Sequence, residues 1–224
     1  NVGNEGRLPA HHMTRGDTWH AVLVLSDGTD TSETASNAVV IGNAPPTVSV
    51  VWPDNATSLI DLTPLISVDD VDDDPTSFST TWYKNGFRDA TLANATSVPV
   101  DKLAPEQTWR LVVESTDGTD AGPTLDTTIA LVNLPPSPAV DVLSSRVWLG
   151  ETTVLSADAS ADVDGEILQY RWTWEGGFAV GATAEIVLLE DTLITLTITD
   201  DHGASANASL QLEPTMGPEM RSVS

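Results

Sequence analysis

The 224-residue sequence contains no cysteine, only two lysines and few aromatic residues, seven of which are tryptophans. Without cysteine the fold has no disulfide bonds, and cysteine-ligated zinc, iron–sulfur clusters and thiol nucleophiles are excluded. No run of 18 apolar residues occurs and no signal peptide is recognisable, so the sequence predicts no insertion into a membrane. If the chain is secreted, the lack of cysteine fits a prokaryotic surface better than an animal one.

Basic residues are also scarce: 9 stand against 33 acidic residues, which gives a formal net charge of −24. A surface of this sign repels phosphate backbones, so we expect no nucleic-acid partner. Most of the acids are aspartates, and short carboxylates on loops suit calcium. A strongly hydrated surface adapted to a saline habitat explains the same composition, and both explanations stay open.

A repeat of 90 residues organises the chain. Shifting the sequence by 90 places residues 16–46 on residues 106–136 without a gap, and 11 of the 31 positions are identical. Tryptophans recur in the same register, Trp19 with Trp109 and Trp82 with Trp172. Large apolar residues that recur at the repeat spacing are expected in the cores of successive modules.

Two Asn-x-Pro-Pro segments, at residues 43–46 and 133–136, separate the repeats. Paired prolines remove backbone donors and hold the chain extended, as a stiff linker requires. We therefore predict an incomplete domain at 1–43, an immunoglobulin-like sandwich at 44–136, a second sandwich at 137–213 and a tail at 214–224.

Residues 1–43 match only the second half of the following module, and we expect the chain to be an excised or mature part of a longer protein. Half of a sandwich cannot bury its own apolar face. Either the chain boundary cuts a domain, or a neighbouring subunit supplies the missing strands by strand addition.

Short runs rich in valine, threonine, isoleucine and leucine fill the two complete modules, several of them with period-two alternation. The predicted strands are 47–52, 59–68, 78–84, 108–114, 127–132, 153–157, 167–174, 185–189, 193–199 and 205–212. A series of short strands with a tryptophan on the third predicts an all-β fold of tandem, immunoglobulin-like Greek-key β-sandwiches.

The module at 137–213 carries the motifs ASADVDG at 159–165, YRWTWEGG at 170–177 and TITDDHG at 197–203. Through these motifs it resembles a PKD (polycystic kidney disease) domain. The sequence departs from the family at Trp174-Glu175-Gly176-Gly177, where W-x-F-G-D-G is usual. The earlier repeats resemble the immunoglobulin-like repeats of bacterial and archaeal surface proteins, through an aspartate-rich loop at 69–75, WYKNG at 82–86 and DGTD at 117–120. Both resemblances imply extracellular binding or spacer modules.

Two acidic loops are the candidate metal sites. Aspartates at alternate positions can point towards one centre, and calcium takes six to eight oxygen ligands. The candidate calcium ligands are Asp70, Asp72 and Asp74 in the first loop, and Asp162 and Asp164 with Asp200 or Asp201 in the second. The PKD resemblance implies calcium at the second set in some members of that family. The alternative is turn chemistry, in which the aspartates accept backbone N–H groups.

Other candidate sites are fewer. Trp174 lies beside two glycines, where an exposed indole would stack on a sugar, and Asn55, Asn94 and Asn207 begin N-x-S/T sequons that could carry glycans. No G-x-S-x-G, P-loop, G-x-G-x-x-G or H-E-x-x-H motif occurs, so we predict no catalytic residue and no enzyme.

The sequence thus favours a non-catalytic, extracellular structural or adhesive array that acts as a spacer or filament component, stiffened by calcium. Its expected partners are other copies of itself, surface proteins or glycans, with inter-subunit strand exchange through residues 1–43. The alternative is a carbohydrate-binding or spacer region of a secreted multidomain hydrolase.

Overall fold

A computed structural model describes residues 8–9 and 12–217 of the chain. Its elements are β-strands together with two short 3₁₀ helices, Ala90–Leu92 and Val100–Lys102, so the all-β prediction is confirmed. The chain divides into two compact units. The first is formed from Asn1–Trp52, Pro64–Thr96 and Arg110–Thr128, and the second from Pro53–Thr63, Ser97–Trp109 and Ile129–Ser224. The domain boundaries at 43, 136 and 213 stay a prediction. Among the described residues, no helix has the length and apolarity that crossing a membrane requires.

Ten strands lie wholly or mainly in the first unit. They are β1 (Thr18–Trp19), β2 (Val22–Ser26), β3 (Thr31–Ala35), β4 (Val39–Val40), β5 (Thr47–Val51), β6 (Leu65–Asp69), β7 (Ser77–Lys84), β8 (Phe87–Arg88), β9 (Thr108–Thr116) and β10 (Leu125–Ala130). Three sheets are two-stranded pairs, β1 with β4, β2 with β3 and β5 with β6, and the fourth has the order β10-β9-β7-β8.

The β2–β3 pair exposes its apolar residues. Leu23 is 55 % exposed and Leu25 is 58 % exposed, and every residue of both strands is solvent-accessible. Ninety residues later, Val113 is fully buried and Ser115 is 3 % exposed. The same stretch of the repeat is therefore covered in one copy and open in the other, and the incomplete domain at 1–43 stays a prediction.

Three of the four recurring tryptophans are buried. Trp82, Trp109 and Trp172 have no exposed surface, whereas Trp19 is only half-buried. Within the first unit, Trp52 packs edge-to-face on Trp82, with 5.9 Å between the ring centroids. Three of the four indoles at the repeat spacing are thus core residues.

The seven remaining strands form a sandwich in the second unit. They are β11 (Asp141–Val142), β12 (Thr152–Ser156), β13 (Ile167–Trp174), β14 (Gly177–Val180), β15 (Thr183–Val187), β16 (Thr192–Asp200) and β17 (Ser205–Leu212). One sheet has the order β11-β12-β15 and the other β14-β13-β16-β17. Because β15 returns to the first sheet between β14 and β16, the connections are those of a Greek key.

Alternation in sequence produces this sandwich. On β16 the even-numbered residues Ile194, Leu196 and Ile198 are buried, while the threonines between them are partly exposed. They form one core with Trp172, which lies opposite Leu196 in the β13–β16 register, and with Leu155 and Ile186 of the other sheet. Successive strand residues face opposite sides, so one apolar face per strand is enough to fill the interior.

One predicted strand is too long. The prediction covered residues 59–68, but the strand is Leu65–Asp69, because the chain turns around Leu59 and Ile60 before Pro64. Leu62 forms an isolated bridge to Val98 instead. Proline cannot donate a ladder hydrogen bond, which is why pairing along β6 begins only after Pro64.

Candidate functional site

The first acidic loop brings the three predicted aspartates together. Asp70, Asp72 and Asp74 each offer a carboxylate oxygen, and these oxygens lie within 4.8 Å of one another. Asp70 Oδ1 accepts the backbone N–H of Asp72 at 2.8 Å and of Asp74 at 3.4 Å, and the turn is closed by Asp73 in the left-handed region, at φ 59°. Asp70 Oδ2 is buried without a hydrogen-bond partner in the described chain. The loop therefore uses turn chemistry and leaves Asp70 Oδ2 without a partner among the described residues.

The linker residue Asn43 lies at the centre of this site, although the sequence assigned it only to a stiff linker. Its Nδ2 donates to Asp117 Oδ2 at 2.7 Å and to Asp120 Oδ2 at 2.8 Å. The next residue, Ala44, donates its backbone N–H to Asp72 Oδ2 at 2.7 Å. We call this set of contacts the first clasp.

Asp117 and Asp120 belong to the repeated DGTD motif, which forms a tight turn. Asp117 Oδ1 accepts the backbone N–H of Thr119 at 2.6 Å and of Asp120 at 2.7 Å. The N–H of Asp120 contributes most to lowering the pKa of Asp117, followed by the amide of Asn43. A carboxylate that accepts several N–H groups stays ionised, so the motif offers Asn43 a fixed negative charge.

The second unit repeats the arrangement. Asn133 Nδ2 donates to Asp200 Oδ2 at 2.8 Å, and the backbone N–H of Leu134 donates to Asp164 Oδ2 at 3.2 Å. Asp200 is only 2 % exposed, and its Oδ1 accepts the N–H groups of His202 at 2.9 Å and Ala204 at 2.8 Å. We call this set of contacts the second clasp. Sequence reasoning missed both linker asparagines, although their identity across the 90-residue shift was the signal that marked them.

Three side-chain oxygens in and beside the second clasp have no partner, although the aspartates of this set do not converge as the first set does: among the described residues only Asp70, Asp72 and Asp74 bring three ligand oxygens within 4.8 Å of one another. Asn133 Oδ1, Asp162 Oδ2 and Asp164 Oδ1 are all buried and have no hydrogen-bond partner within residues 12–217. A buried polar atom without a partner costs free energy, and most such atoms in folded proteins are satisfied by protein, water or an ion. The donor set, an amide oxygen and carboxylate oxygens, is the type that a hard cation prefers.

Electrostatics in the second clasp differ from one carboxylate to the next. Burial raises the pKa of Asp164, and the neighbouring Asp162 carboxylate raises it further. Burial also acts to raise the pKa of Asp200, but the hydrogen bonds from Asn133 and from backbone N–H groups outweigh it, and the net shift is downward. The charged form is therefore disfavoured at Asp164 and favoured at Asp200.

Asp201, the remaining predicted ligand, is used differently. Its Oδ1 accepts the backbone N–H of Glu166 at 3.1 Å and lies 3.1 Å from His202 Nδ1. The Glu166 N–H is the main cause of the lowered pKa of Asp201. Gly165 separates this carboxylate from Asp162, because a Cβ on Gly165 would lie 2.4 Å from Asp201 Oδ1 and 3.0 Å from Asp162 Oδ2. A side chain at position 165 would therefore disturb both carboxylates.

The predicted sugar-stacking residue Trp174 is half-buried and packs against the sandwich core. Its ring lies on Gly177, where a Cβ would meet the indole at 2.7 Å. Trp174 also lines an open cleft of about 380 Å³, together with Glu175, Glu190 and Asp191. The three sequon asparagines, Asn55, Asn94 and Asn207, are all exposed.

No protein-family model matches the chain, and no curated protein matches it either. Solved structures similar to the chain include the PKD1 domain of the Vibrio cholerae metalloprotease PrtV, with 21 % identity and a TM-score of 0.33, which covers 37 % of this chain and 100 % of that one. A two-domain fibronectin type III segment from chicken tenascin is 14 % identical with a TM-score of 0.43, covering 76 % of this chain and 99 % of that one. The fibronectin(III)-like modules of Clostridium thermocellum CbhA are 16 % identical with a TM-score of 0.32, covering 76 % and 95 %. PKD and fibronectin type III modules are both among the solved structures that this chain resembles.

Proposed function

We propose that the chain is a non-catalytic extracellular spacer, in which each Asn-x-Pro-Pro linker is fastened to the acidic loops of the sandwich that follows it. The observation that carries the proposal is the repetition of the clasp. Asn43 and Asn133 each donate an amide to an aspartate, at 2.7 Å and 2.8 Å, and the next backbone N–H binds a second aspartate in both copies.

A fastened linker suits a spacer because it limits the freedom of the chain between modules. Proline already restricts the linker backbone, and side-chain hydrogen bonds to ionised carboxylates are stronger than neutral ones. An adhesive or filament component needs such stiffness to hold its ends apart, whereas a flexible linker would let them collapse. An extracellular location fits the acidic surface and the cation chemistry proposed next.

We further propose calcium as the cation of the second clasp. Its ligands would be Asn133 Oδ1, Asp162 Oδ2 and Asp164 Oδ1, the three buried atoms without partners. Asp200 adds charge nearby through its contact with Asn133. A divalent ion would neutralise the Asp162–Asp164 repulsion and join the linker to the loop through one centre.

The calcium proposal is tested by melting the whole chain in chelator, in millimolar calcium, in magnesium and in matched sodium chloride. We expect calcium alone to raise the melting temperature, because an ion that binds only the folded state stabilises it. Asp162→Asn should abolish the rise, whereas Asp191→Asn, which removes the same charge from an exposed position, should leave it intact. A rise that plain salt or magnesium reproduces in full would contradict the proposal and leave the loops as solvated turns.

A second candidate function is carbohydrate binding within a secreted hydrolase. The observation in its favour is the open cleft in which the Trp174 indole lies with Glu175, Glu190 and Asp191. The indole can stack on a sugar ring, and the carboxylates can accept hydrogen bonds from its hydroxyl groups. Binding on a glycan array that disappears in Trp174→Ala but persists in Trp148→Ala would favour this function over a simple spacer.

The exposed apolar face of β2 and β3 suggests a binding partner for this part of the chain. Leu23 and Leu25 are more than half exposed, although the equivalent residues ninety positions later are buried. We propose that a neighbouring subunit adds strands to this half-sandwich, because strand addition would satisfy both the apolar face and the free strand edge. Light scattering that finds only monomers at high concentration would contradict it.

A further inference from the structure

The two clasps differ at one atom. Asn43 Oδ1 accepts a hydrogen bond from Arg15 Nη1 at 2.6 Å. Asn133 Oδ1 occupies the same place in the repeat but is buried without a partner in the described residues. The 90-residue shift that superimposes the two asparagines places Pro105 at the position of Arg15. Among the described residues, therefore, the amide oxygen of one linker asparagine contacts a positive group and that of the other does not.

Arg15 reaches the acidic loop as well as the linker. The Nη1 that binds Asn43 also forms an ion pair with Asp74 Oδ2. Asp74 is one of the three aspartates whose oxygens converge in the first loop, and Asp72 in the same loop holds the linker through Ala44. The guanidinium thus bridges the linker and the acidic loop, which is the position of the proposed calcium in the second clasp.

We infer that Arg15 is a tethered cation that takes the place of a divalent ion in the first clasp. The inference rests on the calcium proposal for the second clasp. A guanidinium carries a permanent positive charge and several donors, so it can bind an amide oxygen and a carboxylate at once. The carboxylates of the first clasp are balanced without metal, and those of the second are balanced when calcium binds.

The same contact excludes calcium from the first loop. Arg15 uses Asn43 Oδ1 and Asp74 Oδ2, and the backbone N–H of Ala44 uses Asp72 Oδ2. A divalent ion would have to displace the guanidinium and would lie within a few ångströms of its charge if it did not. Asp70 Oδ2, buried and unpartnered, is the atom through which the loop would take up an ion once Arg15 is removed.

The test counts calcium ions bound to the whole chain by isothermal titration calorimetry. We expect the unchanged chain to bind one ion and Arg15→Gln to bind two, with the new site lost again in Arg15→Gln/Asp70→Asn. Arg146→Gln is the matched control, because it removes the same charge from a residue that stacks on Trp148 and contacts neither acidic loop. This control should bind one ion.

The possible ion counts distinguish failure of the Arg15 inference from failure of the calcium proposal for the second clasp. One ion in both the unchanged chain and Arg15→Gln, or two ions in both, would overturn the role of Arg15. No ion in the unchanged chain and one in Arg15→Gln would support Arg15 and overturn calcium in the second clasp. If Arg15→Gln does not fold, Asp162→Asn decides: we expect that variant to bind no calcium, and a remaining ion lost on adding Asp70→Asn would overturn the inference.

Discussion

Asn133 and Asp200 are joined by a 2.8 Å hydrogen bond in which a linker amide satisfies one oxygen of a carboxylate that is only 2 % exposed. The linker of this chain is therefore part of the folded module that follows it. The other amide atom, Asn133 Oδ1, is buried without a partner among the described residues and is one of the proposed metal ligands.

Removing this amide should destabilise the second sandwich. Asn133→Ala leaves Asp200 Oδ2 buried without its donor, which costs about 1–3 kcal/mol of the free energy of unfolding. Urea unfolding in chelator measures the loss. Asn207→Ala, on the exposed face of β17, is the control and should change the stability little. Equal losses in the two variants would show that the linker amide is not structural.

The sequence predicted most of the fold because the repeat and the alternation are properties of the chain itself. β13 and β17 have the predicted bounds, and the indoles of Trp82, Trp109 and Trp172 are buried as their spacing requires. Alternation could not show where strand pairing begins, so the strand predicted at 59–68 was too long. That boundary depends on Pro64 and on the bridge between Leu62 and Val98, which joins residues far apart in sequence.

The candidate site was predicted only in part, for a similar reason. Spacing within one loop placed Asp70, Asp72 and Asp74 together, because alternate residues of a short loop can converge. The contribution of Asn133 and of Arg15 depends on contacts between segments 28 or more residues apart, which no local pattern contains. Asp201 shows the same limit, since its carboxylate is occupied by the N–H of Glu166.

Trp172 should carry more stability than Trp174, two residues later on the same strand. Trp172 is fully buried and donates from Nε1 to the carbonyl of Gly181 at 3.0 Å, whereas Trp174 is only partly buried. Trp172→Ala is expected to cost about 3–5 kcal/mol, and Trp174→Ala clearly less. Thermal and urea unfolding measure both, and comparable losses would contradict the core assignment of the repeat.

Acid should weaken the first clasp. Hydrogen bonds from the Asp120 N–H and from Asn43 hold the pKa of Asp117 below that of an ordinary aspartate. The unfolded chain then binds the proton more tightly, so the stabilisation is present above about pH 4 and is lost as the pH falls through the folded-state pKa. We expect the melting temperature to decrease as the pH is lowered below about 4. In Asp117→Asn, which has no carboxyl group to titrate at this position, the decrease should be smaller. An unchanged pH profile in that variant would contradict this role.

The open face of β2 and β3 predicts association that depends on concentration. Leu23→Asp places a charge on the exposed apolar pair and should weaken any complex that forms there. Leu168→Asp is the control, because Leu168 is 67 % exposed on β13, in the other unit. Multi-angle light scattering over a range of concentrations should show association that Leu23→Asp reduces and Leu168→Asp does not. Association that neither variant changes would place the contact elsewhere.

Asp164→Asn should have opposite effects with and without calcium. Burial and the Asp162 carboxylate raise the pKa of Asp164 in the folded chain. Folding therefore loses stability as the pH rises above the unfolded-state pKa of 3.8 and the carboxylate becomes charged. At neutral pH in chelator, the neutral amide removes that repulsion while its oxygen can still accept the N–H of Leu134, and the melting temperature should rise. In calcium the same variant should lose the ion's stabilisation, because it lacks one ligand charge. Asp158→Asn, which changes an exposed aspartate by the same charge, should show neither effect. A variant less stable than the unchanged chain in chelator would mean that the carboxylates are not in conflict, and the reason for a cation at this clasp would be lost.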